Sequence, residues 1–381
     1  MNPQDELSNE AAKFGALARE HAAETEQRRA LAPAVVDAAR ASGLFRTGLP
    51  AALGGAEPSA AAVLRAAEKV AEGDASTGWC LSIAALSSVL GAYLPARGGH
   101  EVFDDPASIA AGVWAPRGKA VPADGGVTVS GRWSFCSGVP HADWVFLGCV
   151  RPAAEGQAGQ PVVAAIPAAQ LTVHDTWRTS GLRGTGSHDT SADEVFVPEH
   201  RLLSVMDGPP ANAGTLHRFP LFGFFAASVA APALGNARGA ITDLVELAGV
   251  KNPSGSRRTL AERSATQGAV AEAEASLRAA REFYYRAIDD AWQAAAAGPA
   301  PVAAELRLAL RLASTHAVRT SAEVARVMYD LGGGSAIYET SPLQRRFRDA
   351  NTATAHFQVN PATYELAGRV LLGLPAETAQ L

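Results

Sequence analysis

One stretch of this chain reads as β-strand, and long Ala-rich helical patterns frame it on both sides. It holds two distinctive segments, Trp133-Ser134-Phe135-Cys136-Ser137-Gly138 and Trp177-Arg178-Thr179-Ser180-Gly181-Leu182-Arg183-Gly184-Thr185-Gly186-Ser187-His188-Asp189. Val127–Phe135 alternates with period two and is rich in β-forming residues. Trp144–Val150 and Val162–Ile166 are short continuous apolar runs that read as buried strands, and Ala192–Pro198 closes the set. Gly and Pro punctuate the region, as in a small barrel of short strands. The expectation is an α+β chain, mostly α. It has an N-terminal helical domain over 1–105, a central β-barrel over 106–205 and a C-terminal four-helix bundle over 206–381.

The flanks carry helical periodicity. Residues 5–42 read as two helices, with Leu7, Ala11, Phe14 and Leu17 recurring every three to four positions. Ser59 caps a helix running to about Glu72, and Asp74, Ser76 and Thr77 offer caps for another to about Leu94. Helices return near Leu221. Residues 258–297 read as one long helix, with Val270, Leu277, Tyr284, Ile288 and Trp292 on one stripe. Another runs from about Val302 to Leu331 and is broken by Gly332-Gly333-Gly334; further helices span Ser341–Arg348 and Pro361–Leu372. Helices this long tend to bundle antiparallel.

Composition excludes several classes. With 381 residues, 48% hydrophobic and 19% charged, the chain is large enough for a sizeable core. A net charge of -5 gives no basic field for nucleic acid or an anionic membrane. Cys80, Cys136 and Cys149 form no CxxC pair, which argues against a disulfide framework and a metal site and suits a reducing cytoplasm. The start of the chain is polar and reads as neither signal peptide nor anchor. The longest apolar run, Leu221–Leu234, is interrupted by Gly223 and Pro232, so no membrane span is expected. No GxGxxG joins a strand to a helix, and no HExxH, Walker A or GxSxG appears. Asp289-Asp290 reads as a solvated helix face.

Five segments, in order, carry a family resemblance: Leu49–Gly55, Gly131–Gly138, Trp177–Pro198, Leu331-Gly332-Gly333 and Phe347-Arg348-Asp349-Ala350. Together they resemble the acyl-CoA dehydrogenase superfamily, whose middle β-domain walls a flavin ring. In the dehydrogenases a Glu soon after the Arg-Asp-Ala removes a proton from an acyl thioester. Here that stretch reads Ala355-His356-Phe357-Gln358-Val359, and Phe357 stands in the place of the base. A phenyl ring cannot accept a proton. Some dehydrogenases carry the Glu on an earlier helix, where this chain has Asp243 and Glu246. A flavin dehydrogenase of an acyl thioester therefore stays open as the alternative reading, and a flavin-free binding protein of the same fold is a third.

The chain resembles more closely the hydroxylase components of two-component flavin monooxygenases, in particular subfamilies acting on indole-type substrates, such as indole-3-acetate monooxygenases. Ala111–Gly118 with Trp114, the Phe135-Cys136-Ser137-Gly138 strand and His356 carry this likeness. It implies reduced FAD as cofactor, with FMN as the alternative, and O2 as co-substrate. A flavin C4a-hydroperoxide would then oxygenate a small aromatic. A separate reductase would supply the reduced flavin. The resemblance also implies a homotetramer or homodimer.

On this reading Trp114, Phe135, Cys136, Ser137, Trp177, Arg258, Gly332 and Gly333 bind the cofactor. Arg258, taken to open the long helix, would reach the pyrophosphate in a neighbouring subunit. The match there is partial, with Ala261, Tyr329 and Val359 departing from the family pattern. Ser137 reads either as a hydrogen-bond partner of the flavin or as a strand serine bonded to nearby backbone. His356 reads as a proton donor or acceptor, since imidazole titrates near neutrality, or as a core histidine. His141 and His188, in loops, read as solvated. Trp79, Ile83, Leu86, Phe222, Phe225 and Phe357, with Phe224, would keep the pocket dry. Leu81–Ser88 contains no ionisable group, which argues against a phenolate and for a neutral ring such as indole.

Overall fold

The computed structural model describes residues 3–152, 159–208, 210, 213–378 and 381. Three helices, not two, occupy the N-terminal stretch: α1 (Pro3–Glu20), α2 (Ala22–Arg28) and α3 (Pro33–Ser42). Arg29 takes a left-handed conformation that ends α2, and Pro33 then opens α3 in its first turn. Ser59 caps α4 (Ala60–Gly73) by accepting the Ala62 N–H at 3.2 Å. Asp74 caps α5 (Ala75–Val89), accepting both the N–H and the hydroxyl of Thr77 at 2.8 Å. The Ala75–Ala92 stretch has the length and apolar character of a membrane span, contrary to the sequence expectation. It is 94% buried inside the protein, as a core helix is. A short α6 (Ala96–Phe103) leads into the sheet.

The strands are β1 (Ala110–Ala123), β2 (Gly126–Cys136), β3 (Trp144–Arg151), β4 (Gln160–Pro167), β5 (Thr172–His174), β6 (His188–Pro198) and β7 (Leu202–Leu203). They form one sheet in the order β5-β6-β2-β1-β3-β4-β7, antiparallel except for the β1–β3 pair. β1 was not legible as a strand because Pro116, Gly118 and Pro122 interrupt it. Its register slips between Val113 and Gly118. Gly118 is required there, since an added Cβ would lie 2.2 Å from the buried Trp133 ring. Trp133 fills the sheet's core with Cys136, Leu147 and Ile166.

The C-terminal block comprises α7 (Thr215–Arg218), α8 (Leu221–Val250), α9 (Ser264–Ala296), α10 (Ala304–Gly332), α11 (Pro342–Ala353) and α12 (Ala362–Leu371). Leu277, Tyr284 and Ile288 of the α9 stripe are buried, and Val270 and Trp292 pack against the same core. That core also takes Phe14, Leu64 and Leu81, so both helical blocks share it. α9 begins at Ser264, and Arg258 lies in the preceding loop rather than on the helix.

α8 runs unbroken through Pro232. Proline has no N–H to give the Ser228 carbonyl one turn back. The Ser82 hydroxyl on α5 takes that role, donating to Ser228 O at 2.7 Å. Ser82→Ala should leave this buried carbonyl unsatisfied and cost about 1–3 kcal/mol. Urea unfolding should show a lower midpoint at unchanged slope. An unchanged midpoint would assign the carbonyl another donor.

Candidate active site

The end of β2 is where the site begins. The β2–β6 register slips between Trp133 and Cys136, and Phe135 within that slip adopts φ 68°. A left-handed bulky residue costs roughly 1–2 kcal/mol. The twist turns the Phe135 ring outward, 71% exposed and edge-on to Trp177 at 6.2 Å. It also turns the Cys136 side chain into the sheet core, leaving only its backbone toward the site. Ser137 follows, and the Gly138 N–H donates to Thr185 O at 2.8 Å.

Ser137 is not bonded merely to local backbone. Its Oγ accepts the Trp79 indole N–H at 3.1 Å and lies 2.7 Å from Ser187 Oγ. Trp79 reaches in from α5, and its ring stands edge-on to His356 at 5.7 Å. Phe225 of α8 meets His356 at 5.5 Å, Phe357 at 5.7 Å and Trp114 of β1 at 5.4 Å. Phe357 tilts over His356 at 4.9 Å and is 57% exposed, forming the rim. Trp79, Trp114, Ser137, Phe225, His356 and Phe357 thus form one continuous group. Ile83, Leu86 and Phe224 belong to the helical core behind it. Phe222 sits half-buried one turn before Phe225.

His356 is neutral here, contrary to the expectation of an imidazole titrating near pH 7. Burial pushes it down to about 4, and the Arg311 guanidinium acts in the same direction. The Gln358 N–H donates to its Nδ1 at 3.3 Å. The single ring proton is therefore on Nε2, and His356 offers an N–H donor rather than a mobile charge. His141 and His188 are buried rather than solvated. His188 Nδ1 accepts the Trp177 N–H at 3.2 Å and so fixes the Trp177 backbone. Burial pushes His141 down to about 4.

No ring surrounding His356 carries an acid. The two carboxylates that kept the dehydrogenase reading open are engaged elsewhere. Asp243 pairs with Arg346 at 3.0 Å and Arg19 at 2.9 Å, and Glu246 pairs with Arg19. Gly332, Gly333 and the Arg258 loop form a second group. Lys251 Nζ donates to Gly332 O, and the Leu260 N–H returns to Lys251 O at 2.7 Å. Gly333 needs its flexibility, with φ 51°. Among the described residues this group shares no hydrogen bond or ring contact with the Ser137–His356 group.

Sequence reasoning did not single out Thr185, Ser187 and Asp349. Asp349 is buried and accepts the Leu182 N–H at 2.6 Å. Burial, then the nearby Asp74 carboxylate, pushes it up to about 7. The Thr185-Gly186-Ser187 run was visible as small polar residues, but nothing in the chain announces that both hydroxyls are buried.

A helical body enclosing a seven-stranded sheet, with an aromatic site at the end of β2, defines the flavin-binding acyl-CoA dehydrogenase fold. Residues 2–102 match the family acyl-CoA dehydrogenase, N-terminal domain, and residues 227–361 match acyl-CoA dehydrogenase, C-terminal domain. The chain belongs to this superfamily, in its branch of flavin-dependent monooxygenase oxygenase components. It is 36% identical to an indole-3-acetate monooxygenase of Pseudomonas putida, over 96% of this chain and 93% of that protein. It is 31% identical to the oxygenase component of an FADH(2)-dependent resorcinol hydroxylase of a Rhizobium species, covering 98% and 95%. The structure of XiaF from a Streptomyces species in complex with FADH2 and glycerol matches with a TM-score of 0.90 and 29% identity, covering 98% and 96%.

Two predictions follow from this geometry. The folded pKa of His356, about 4, lies below the ordinary 6.5, so acid protonates the unfolded chain first. Stability from the neutral ring is complete above about pH 6.5 and is lost as pH falls toward about 4. The drop in melting temperature between about pH 7 and about pH 5 should therefore be smaller in His356→Phe than in wild type. Equal drops would contradict the burial assigned to His356. Phe135→Gly should relieve its backbone and leave melting unchanged or slightly raised, by up to about 1 kcal/mol. The same variant should weaken flavin binding, measured by anaerobic titration. Unaltered binding would place Phe135 outside the cofactor site.

Proposed function

We propose that this chain oxygenates a small neutral aromatic of the indole type, using reduced flavin delivered by a separate reductase. The closure of His356 by Trp79, Phe225 and Phe357, with no acid among them, carries this reading. It is an apolar, π-rich enclosure with one neutral N–H donor. An electron-rich ring fits it, and an acyl thioester awaiting deprotonation does not. The 36% identity to an indole-3-acetate monooxygenase supports the same substrate class.

The residues present fit a flavin. Phe135 and Trp177 offer exposed and half-buried aromatic faces and Trp114 a further wall, and Ser137 would present its hydroxyl to N5 of the ring. Gly332, Gly333 and Arg258 would hold the nucleotide end of an FAD, and the 31% identity to an FADH(2)-dependent resorcinol hydroxylase favours FAD over FMN. Bound reduced flavin supplies two electrons to O2, so one oxygen atom enters the substrate and the other leaves as water. The chain's own task is to hold the ring, keep bulk water out and orient the substrate. His356 Nε2–H stays in place at neutral pH and donates a hydrogen bond without changing charge.

Apolar side chains exposed on the sheet's outer face, Val121 and Phe196, and at the end of α12, Leu371 and Leu372, support assembly into a homodimer or homotetramer. The three buried free thiols suit a reducing cytoplasm.

The test uses the full chain with chemically reduced FAD, O2 and indole. Oxygenated indole should form with no reductase present, and oxygen uptake should match product. Failure to oxygenate any indole, together with bleaching of bound oxidised FAD by an acyl-CoA, would overturn the reading. His356→Ala should lower product per O2 and raise hydrogen peroxide. Loss of one preorganised donor in a dry site is expected to reduce turnover by about 10²-fold. Full coupling in that variant would remove His356 from the reaction.

A further inference from the structure

Four consecutive hydrogen bonds run behind Ser137. Trp79 Nε1 meets Ser137 Oγ at 3.1 Å, and Ser137 Oγ meets Ser187 Oγ at 2.7 Å. Ser187 Oγ meets Thr185 Oγ1 at 2.6 Å, and Thr185 Oγ1 meets the Leu182 carbonyl at 2.8 Å. The two ends of this row fix its direction. An indole N–H can only donate, and a carbonyl can only accept. Between them stand three hydroxyls with one proton each. Four protons fill four links in one arrangement alone: Trp79 to Ser137, Ser137 to Ser187, Ser187 to Thr185, Thr185 to Leu182.

The far end is rigidly held. Leu182 sits in a left-handed turn with φ 49°. Its carbonyl also accepts the Trp177 indole N–H at 2.9 Å, and its own N–H is bound by Asp349. Thr185 is 1% exposed and Ser187 3%, so water does not compete for either hydroxyl, whereas Ser137, at 9%, borders the site.

We infer that Ser187, backed by Thr185, is a positioning residue that turns the Ser137 proton away from the site, so that Ser137 meets the flavin as a hydrogen-bond acceptor and selects the reduced form. The inference rests on the proposed placement of Ser137 beside flavin N5. Reduced flavin carries a proton on N5 and is a donor there. Oxidised flavin has only a lone pair, so Ser137 and N5 would face each other as two acceptors. To bind the oxidised form equally well, Ser137 must withdraw its proton from Ser187 and leave a buried partner unfilled. The row of hydroxyls thereby favours entry of the reduced cofactor and departure of the oxidised one.

Equilibrium binding tests this without turnover. The full chain is titrated anaerobically with reduced FAD and separately with oxidised FAD, following protein fluorescence. Wild type should bind reduced FAD more tightly. Ser187→Ala frees the Ser137 proton, and Thr185→Val, a change of nearly equal shape, removes the acceptor that orients Ser187. Each should shrink the ratio of the two dissociation constants by at least about tenfold, a fall of ~30 mV in the bound two-electron potential. Thr185→Ser keeps the hydroxyl and should keep the wild-type ratio. If Ser187→Ala does not fold, as judged by circular dichroism, Thr185→Val carries the test. Equal wild-type affinities for the two forms would overturn the inference. So would wild-type ratios in Ser187→Ala and Thr185→Val when Ser137→Ala has lost the preference. If Ser137→Ala binds both forms as wild type does, the placement of Ser137 beside the flavin is what fails.

Discussion

Helix α11 fastens the sheet to both helical blocks, and it does so through polar side chains led by one charge taken out of water, Arg346. Arg346 is nearly fully buried. It donates to the carbonyls of Ala71, Glu72 and Gly73 at the end of α4 and pairs with Asp243 of α8. Two residues on, Arg348 donates to Ser180 O and to Glu26. Asp349 takes the Leu182 N–H. A buried charge is tolerated only when its partners satisfy it, and removing a single partner is strongly destabilising. These three side chains therefore determine where the 180–187 loop lies relative to α4 and α8. Gly181 shows how close the approach is, since a Cβ there would stand 2.2 Å from Arg348 O. The site inherits its geometry from this junction, because Thr185 and Ser187 leave the same loop.

Much of this was legible because it is local. Ser59 and Asp74 announce helix starts through side chains that satisfy nearby N–H groups, and both do so in the structure. The α9 stripe depends only on helical periodicity. Phe357 in the place of a base needs only alignment along the chain. What was not legible depends on contacts between distant segments. β1 contains Pro116 and Pro122, and it is held as a strand by its neighbours rather than by its own propensity. Pro232 reads as an interruption until Ser82, 146 positions before the Ser228 carbonyl it serves, supplies the missing donor. His141 and His188 read as loop residues, where exposure is the natural expectation, yet His141 ends a short 3-10 helix and His188 opens β6. His141 is covered by Phe45, ring to ring at 6.3 Å, and His188 by its pairing with Cys136 of β2 and by the Trp177 backbone. Arg258 illustrates the opposite error: helical periodicity was extended past a boundary that Thr259 and Glu262 mark with a capping box.

Trp79 has two partners on different sides of the site. Its ring edge touches His356 among the aromatic rings, and its N–H fixes the near end of the hydroxyl row at Ser137. The next residue, Cys80, places its Sγ against Thr185 O at 3.7 Å. One turn of α5 therefore braces both the aromatic enclosure around His356 and the row of hydroxyls behind Ser137. A ring that shifted Trp79 on entering the pocket would also disturb the donor to Ser137. The aromatic wall and the row of hydroxyls are, in that sense, a single structural element. This gives a physical reason for a tryptophan at a position where a smaller apolar residue would fill the core equally well. Leucine or phenylalanine there would pack against His356, but neither has a proton with which to begin the row.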